Sequence, residues 1–234
     1  MKKIPAHQKI ISSLCTVLLL FTLLITAAEA VCFWVPGFWR YEYSKYDTTS
    51  YVTGEMSLDD AVYVTEEMLE YCMGRLDSLD SVEATIDGIT SPFFTERELL
   101  HLADCRDIFQ KALAARRISL IAIAGLVIIL IISCRTDTAY VLACGYIRTT
   151  IAVFIIAAVL AIIGISNFDW LFVKFHHVFF DNDLWLLDPA KDNLVNIMQE
   201  QVFAEAAALI AIIWAVIAII LIFIATRIFR KSRG

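Results

Sequence analysis

Three histidines offer imidazole chemistry away from the N-terminal segment that holds His7, and each sits among acids or aromatic rings. His101 and Asp104 lie three residues apart, which puts them on one face of a helix. An acid so placed either orients the imidazole and favours its charged form, or is an ordinary surface pair. His176 and His177 occupy the run Phe168 to Trp185, which packs seven aromatic residues and three acids around them. Imidazole suits general acid–base work near neutral pH, and ionisable groups at membrane depth are functional candidates. The plainer alternative is an interfacial helix whose histidines sit among lipid headgroups. His101, Asp104, His176 and Asp183 also offer mixed imidazole and carboxylate ligands of the kind zinc takes. Only the His-x-x-Asp spacing supports that reading. The sequence has no nucleotide-binding loop, Gly-x-Ser-x-Gly elbow or His-Glu-x-x-His motif, and no metal or cofactor is expected.

The elements that must position these residues are mostly helical. Phe33-Trp34-Val35-Pro36-Gly37-Phe38-Trp39 reads as an aromatic belt at headgroup level. Ser57-Leu58-Asp59-Asp60 predicts a capped helix start with acids in its first turn. Ala61, Val64, Met68, Leu69, Cys72 and Leu76 continue it at helical spacing. Asp87-Gly88, between Val82 and the residues after Ile89, predicts a small hairpin. Thr95-Glu96-Arg97-Glu98 has capping-box spacing and opens the helix that carries His101. Asp188-Pro189 ends the aromatic run, and Asp192-Asn193 can start a short helix.

The chain has 234 residues, 59% of them hydrophobic, and a mean hydropathy of +0.71. Four runs free of charge, Ile10–Ala28, Ile118–Cys134, Thr149–Phe168 and Ala206–Thr226, approach or reach the roughly 20 residues that cross a bilayer. Ala28-Glu29-Ala30 resembles a signal-peptide cleavage site, but the first run is longer than a signal core, so a retained anchor is expected. Lys2, Lys3, Lys9, Arg135, Arg148, Arg227, Arg230, Lys231 and Arg233 flank one side of the runs, which places both termini inside. Residues 36–117 hold 8 basic and 16 acidic groups, and residues 169–205 hold 2 and 7. The basic residues read as topology signals, so no nucleic-acid partner is expected. The resulting map has an N-terminus and first span over 1–32, an extracytoplasmic domain over 33–117 and a second span over 118–134. A cytoplasmic loop over 135–148 and a third span over 149–168 follow. An outer-leaflet segment over 169–205, a fourth span over 206–226 and a cytoplasmic tail over 227–234 complete it. The fold class is thus an all-α polytopic membrane protein. It has four transmembrane helices, a mainly helical extracytoplasmic domain and an outer-leaflet aromatic segment. Of the six cysteines, Cys32, Cys72 and Cys105 fall outside. A Cys72–Cys105 disulfide is possible, though free or buried thiols are the simpler reading.

Phe94-Thr95-Glu96-Arg97-Glu98-Leu99-Leu100-His101-Leu102-Ala103-Asp104 resembles the first motif of the lipoprotein intramolecular transacylase family, an acid-rich helix start followed by His-Met-x-Asp-Val. Phe175-His176-His177-Val178-Phe179-Phe180-Asp181-Asn182-Asp183-Leu184-Trp185 resembles its second, Phe-His-x-x-Phe-Phe-x-x-Asp-x-Trp, with Pro189 following. Leu102 and Cys105 replace the family's methionine and valine, and Met198-Gln199-Glu200 lacks a proline found near there. The resemblance implies an acyltransferase that acts on diacylglyceryl-modified bacterial lipoproteins in the cytoplasmic membrane. An acyl chain moves from the glyceryl ester of the N-terminal lipidated cysteine to its α-amino group, giving the lyso-form. His101 and His176 are implied as catalytic. Asp104, Asp183 and Trp185 are implied as supporting, and Phe175, Phe179 and Phe180 as contacts for substrate in membrane lipid. A non-enzymatic membrane scaffold and a metal-dependent membrane hydrolase are the competing classes. The sequence leaves oligomeric state open.

The charge asymmetry generates a topological test. In a background without native cysteines, Asp80→Cys should react with a membrane-impermeant thiol reagent in intact cells. Labelling only after lysis would reverse the orientation.

Overall fold

The structure is a computed structural model describing residues 4–232. Lys2, Lys3 and Arg233, counted above among the inner cations, lie outside the described residues. The chain folds as α1 (Ala6–Phe33), α2 (Phe38–Lys45), α3 (Leu58–Cys72), β1 (Glu83–Ile86), β2 (Ile89–Pro92), α4 (Glu96–Cys134), α5 (Thr138–Ser166), α6 (Phe168–Phe179), α7 (Leu194–Ile197) and α8 (Glu200–Lys231), with short 3₁₀ turns at Thr48–Tyr51 and Arg135–Asp137. Two compact units result. One comprises Met1–Glu29, Leu113–Ser166 and Leu209–Gly234; the other comprises Ala30–Ala112 and Asn167–Ala208.

The first unit is a bundle of apolar helices. Three helical stretches are long and apolar enough to cross a membrane: Ala6–Phe33, Glu96–Ser166 and Glu200–Lys231. The second is 71 residues long and holds the run Ile118–Cys134 together with all but the last two residues of Thr149–Phe168. They are separated where Arg135 takes a left-handed conformation, φ 49°. Ile121, Ile132, Ile155, Ile162, Ile165 and Phe223 project outward, fully or largely exposed, as expected of helices whose solvent is lipid. Inside, Leu20, Ala27, Trp214 and Ala218 form a core. The Trp214 indole donates to the Leu20 carbonyl at 2.9 Å, and the Tyr146 hydroxyl donates to the Ala218 carbonyl at 3.1 Å. Both bonds satisfy polar groups where no water competes. At Gly145 an added Cβ would stand 2.4 Å from the Ser12 hydroxyl, so α5 and α1 approach as closely as small residues allow. The half-buried Arg116 pairs with Glu29.

Helices outrun the charge-free runs at six of their eight ends. α1 extends beyond residues 10–28, and α4 begins 22 residues before the run that opens at Ile118. α5 begins at Thr138, so most of 135–148 is helix rather than open loop. It stops at Ser166, because Asn167 caps the next helix by accepting from the Trp170 N–H at 3.0 Å. Charge-free length marks what lipid tolerates, whereas a helix continues wherever its backbone bonds are kept.

In the second unit the capping signals hold. The Ser57 hydroxyl accepts from the Asp60 N–H at 3.0 Å, and α3 buries Ala61, Val64, Met68, Leu69 and Cys72. The buried Tyr43 of α2 shares a 2.6 Å hydrogen bond with Thr65 of α3. Strands β1 and β2 pair antiparallel, with Ile86 opposite Ile89. Asp87 and Gly88 both have positive φ, 52° and 75°, the backbone of a two-residue hairpin turn. Among the described residues no cysteine is in a disulfide, so Cys72 and Cys105 are not joined.

The start of α4 is a capping box that does more than cap. The Thr95 N–H donates to Glu98 Oε2 at 2.6 Å, and the Glu98 N–H donates to the Thr95 hydroxyl at 3.3 Å. The other Glu98 oxygen, Oε1, accepts from the backbone N–H of Leu194, 96 residues away in sequence. The Thr95 hydroxyl donates to Asp192 at 2.9 Å, the Asn193 amide donates to the Phe93 carbonyl at 3.0 Å, and Asp192 also accepts from the Asp188 N–H at 2.7 Å. The residues after the aromatic run are therefore clasped to the turn that opens α4.

Glu98 is fully buried, and burial raises its carboxyl pKa against the pull of these N–H donors. Glu98→Gln keeps the shape but replaces one acceptor with an NH₂ group. It should cost about 1–3 kcal/mol, the penalty for a buried backbone donor left unpaired. A lower melting temperature of the purified protein in detergent, with Glu96→Gln on the exposed face unchanged, is expected. Equal melting temperatures for wild type and Glu98→Gln would contradict the clasp.

Candidate active site

One helical turn after Glu98, α4 presents His101, which is 7% exposed; α6 presents His176, which is 8% exposed. Their ring centroids lie 6.3 Å apart at 33°, so two histidines from segments 75 residues apart share one site within the second unit. Phe180 touches both, at 5.1 Å from His101 and 5.5 Å from His176. Trp185 stacks on His176 at 4.8 Å and 29°. Phe172 packs on the same ring at 4.1 Å.

Helix geometry explains the arrangement. α6 runs apolar on several sides, yet only His176 of its residues is buried. Its Nδ1 lies 2.7 Å from the Phe172 carbonyl oxygen, one turn back on the helix. A carbonyl only accepts, so Nδ1 carries the hydrogen and Nε2 presents its lone pair. On α4, His101 and Cys105 are four residues apart and stack along one face, with the sulfur 3.6 Å from His101 Nε2. His101 Nδ1 is buried without a hydrogen-bond partner, and so is Trp185 Nε1.

Burial sets the charge state. Desolvation, then the neighbouring His176, pushes the His101 pKa down to about 4, against a smaller upward pull from Asp104. Desolvation also lowers His176, only partly offset by its bond to Phe172. Both rings are neutral at physiological pH. Burial, then Asp104, pushes the Cys105 thiol up to about 12, so it stays protonated.

The remaining expected residues take varied positions. Asp104 does not bond to His101; its carboxylate accepts from the Asn182 amide at 2.9 Å and acts on the ring only through its field. Asp183 is exposed, and its backbone carbonyl, not its carboxylate, takes the Arg97 guanidinium. The Phe172 carbonyl, a backbone atom, is the group that orients His176. Phe180 is buried in the site, whereas Phe175 and Phe179 are each 49% exposed and pack on one another at 4.6 Å. Phe175 still reaches the edge of His176 at 5.6 Å. His177 is exposed and meets only the edge of Trp185, at 5.2 Å. Among the described residues no group of three or more His, Cys, Asp and Glu side chains could hold a metal ion.

Sequence reasoning did not find Glu98, Cys105, Arg97 or Asn182 as members of the site. Glu98 was visible as a cap but not as a long-range acceptor. Arg97 and Asn182 tie the loop after α6 to α4, a role that no local pattern encodes.

The comparisons with known proteins agree on one family. The profile of a family described as "Lipoprotein intramolecular transacylase Lit" matches residues 13–203. No curated protein matches by sequence. Among solved structures, the in meso structure of the membrane-integral lipoprotein intramolecular transacylase Lit from Bacillus cereus superposes with a TM-score of 0.72 at 18% identity, covering 97% of this chain and 98% of that one. A histidine-to-alanine variant of the same Bacillus cereus protein gives 0.71 at 20% identity, with 97% and 96% covered. A histidine-to-arginine variant gives 0.69 at 18%, with 97% and 94% covered. At these identities the structural likeness establishes the fold, and the profile match across most of the chain establishes the family. The chain belongs to the lipoprotein intramolecular transacylase family, whose members are multi-pass membrane acyltransferases of lipoprotein modification.

Proposed function

We propose that this protein moves an acyl chain from the diacylglyceryl ester of a lipoprotein's N-terminal cysteine to that cysteine's α-amino group, with His101 and His176 as the catalytic pair. The observation that carries the reading is two buried, neutral imidazoles 6.3 Å apart, one with its tautomer fixed so that Nε2 is free to take a proton. The α-amino pKa of about 7.7–8.0 leaves a useful neutral fraction near neutral pH. Donor ester and acceptor amine belong to one molecule, so positioning replaces a bimolecular encounter. The amine nitrogen attacks the ester carbonyl, and His176 Nε2 removes its proton. The same nitrogen returns that proton to the glyceryl oxygen as the C–O bond breaks. Ester becomes amide, which is downhill, so no nucleotide is required.

The four charge-free runs act as four spans, with both termini inside and residues 33–117 and 169–205 on the outer face of the bacterial cytoplasmic membrane. The exposed Trp170, Val173, Phe175, Val178 and Phe179 of α6 support an outer-leaflet position for that helix, in which Phe175, Phe179 and Phe180 would meet the acyl chains. Lys174 lies 6.0 Å from the Trp170 ring centroid, and its stem can snorkel toward the headgroups.

The adjacent histidines provide the test. Purified protein is given a synthetic diacylglyceryl lipopeptide, and the position of each acyl chain is read by tandem mass spectrometry. His176→Ala should abolish lyso-form production, whereas His177→Ala, exposed and outside the pair, should keep most of it. The reverse result would show that the wrong histidine has been placed in the site. Unaltered activity in both would remove His176 from the catalytic role, whereas wild-type protein that makes no lyso-form would favour a scaffold.

A further inference from the structure

Resting on the reading above, we propose that the Trp185 indole N–H and the His101 Nδ1–H together hold the oxyanion of the tetrahedral intermediate, with Cys105 as the residue that sets the His101 tautomer.

Two unpartnered nitrogens motivate this. Among the described residues, six buried side-chain polar atoms have no hydrogen-bond partner, and two of them are His101 Nδ1 and Trp185 Nε1. Both belong to rings that flank His176, at 6.3 Å and 4.8 Å between centroids. Buried polar groups are paired in nearly all folded proteins, so each exception calls for a reason. Two beside one proton acceptor point to an oxygen that arrives with the substrate. Indole N–H can only donate, and Trp185 is 9% exposed, so water offers it little.

The His101 tautomer follows from its neighbour. The Cys105 sulfur lies 3.6 Å from His101 Nε2. Sulfur is a weak acceptor, whereas the bare nitrogen of a neutral imidazole is a good one. The thiol therefore donates to Nε2, and the ring hydrogen resides on Nδ1, the atom without a partner. His101 then works as a neutral hydrogen-bond donor, which its burial favours. His176 has the opposite polarity toward the site, because its Nδ1 hydrogen is already committed to the Phe172 carbonyl.

The step balances without a co-reactant. As the N–C bond forms, the carbonyl π pair moves onto oxygen, which accepts from Trp185 Nε1–H and His101 Nδ1–H. The amine proton passes to His176 Nε2. On collapse the π pair returns, the bond to the glyceryl oxygen breaks with its electron pair, and that oxygen takes the proton from His176. Donors that meet charge only as it develops lower the barrier without tightening ground-state binding.

Trp185→Phe keeps a ring against His176 and deletes the N–H. In the lipopeptide assay it should lower kcat by about 100-fold or more, the usual effect of losing one such donor, with KM within about twofold of wild type. A kcat within about twofold of wild type would overturn the role of Trp185, and with wild type active and His176→Ala inactive it would leave the transacylase reading standing. Wild-type protein that makes no lyso-form would remove both. A second measurement does not depend on the variant folding. The ¹⁵N shifts of histidine-labelled full-length protein in detergent should show His101 protonated at Nδ1 and bare at Nε2. Cys105→Ala should shift that ring toward the other tautomer, and Cys105→Ser should restore it. A wild-type His101 protonated at Nε2 would overturn the assignment.

Discussion

The buried carboxylate of Glu98 holds the functional half of this protein together. One oxygen closes the capping box with Thr95, and the other accepts from Leu194, in the segment that leads to α8. A carboxylate removed from water survives only when donors satisfy it, so its burial obliges the two chain segments to meet. Once they meet, the spacing along α4 does the rest. Arg97 reaches the Asp183 carbonyl, Asp104 takes the Asn182 amide, and His101 faces Phe180 and His176 between those two ties. The helix acts as a ruler on which the second segment is pinned at successive turns.

Burial then decides the chemistry. Asp104 beside His101 suggests a charged imidazole, and the field of that acid does raise the ring's affinity for a proton. Loss of water and the second imidazole oppose it and prevail, leaving the pKa near about 4. Two neutral rings suit an acyl shift from ester to amine better than an ion pair would. One can accept the amine's proton, and no fixed positive charge repels an attacking ammonium that must first become neutral. Phe172, Phe180 and Trp185 pack around the His176 ring, and in the proposed reaction such an aromatic shell would keep out water that competes with the amine for the ester.

What the sequence made legible was what is local. Ser57 and Thr95 cap helices where their spacing predicted, Asp87-Gly88 turns a hairpin, and three of the four charge-free runs fall within apolar helices. Helix ends were less legible, as at Thr138, where polar residues extend a helix that lipid tolerance alone cannot delimit. Motif resemblance picked out His101, His176, Phe180 and Trp185, which the fold brings together, but not the contacts that wire them. The Phe172 carbonyl, a backbone atom that no side-chain motif could reveal, holds the His176 ring. Cys105, a departure from the family pattern, contacts the His101 ring. Asn182 draws Asp104 away from hydrogen bonding to His101. Each depends on contacts between residues far apart in sequence or on backbone atoms that every residue shares.

The account stands or falls on what happens to lipoprotein N-termini in a membrane. The direct measurement is tandem mass spectrometry of N-terminal lipopeptides from bacteria with and without this protein, in a host that otherwise makes only the diacylglyceryl form. Because the proposed reaction is an isomerisation, the intact mass should not change. Fragmentation should instead place one acyl chain on the α-nitrogen and one on the glyceryl group when the protein is present. A free α-amine with both chains still on the glyceryl group, in cells with the protein correctly inserted, would contradict it.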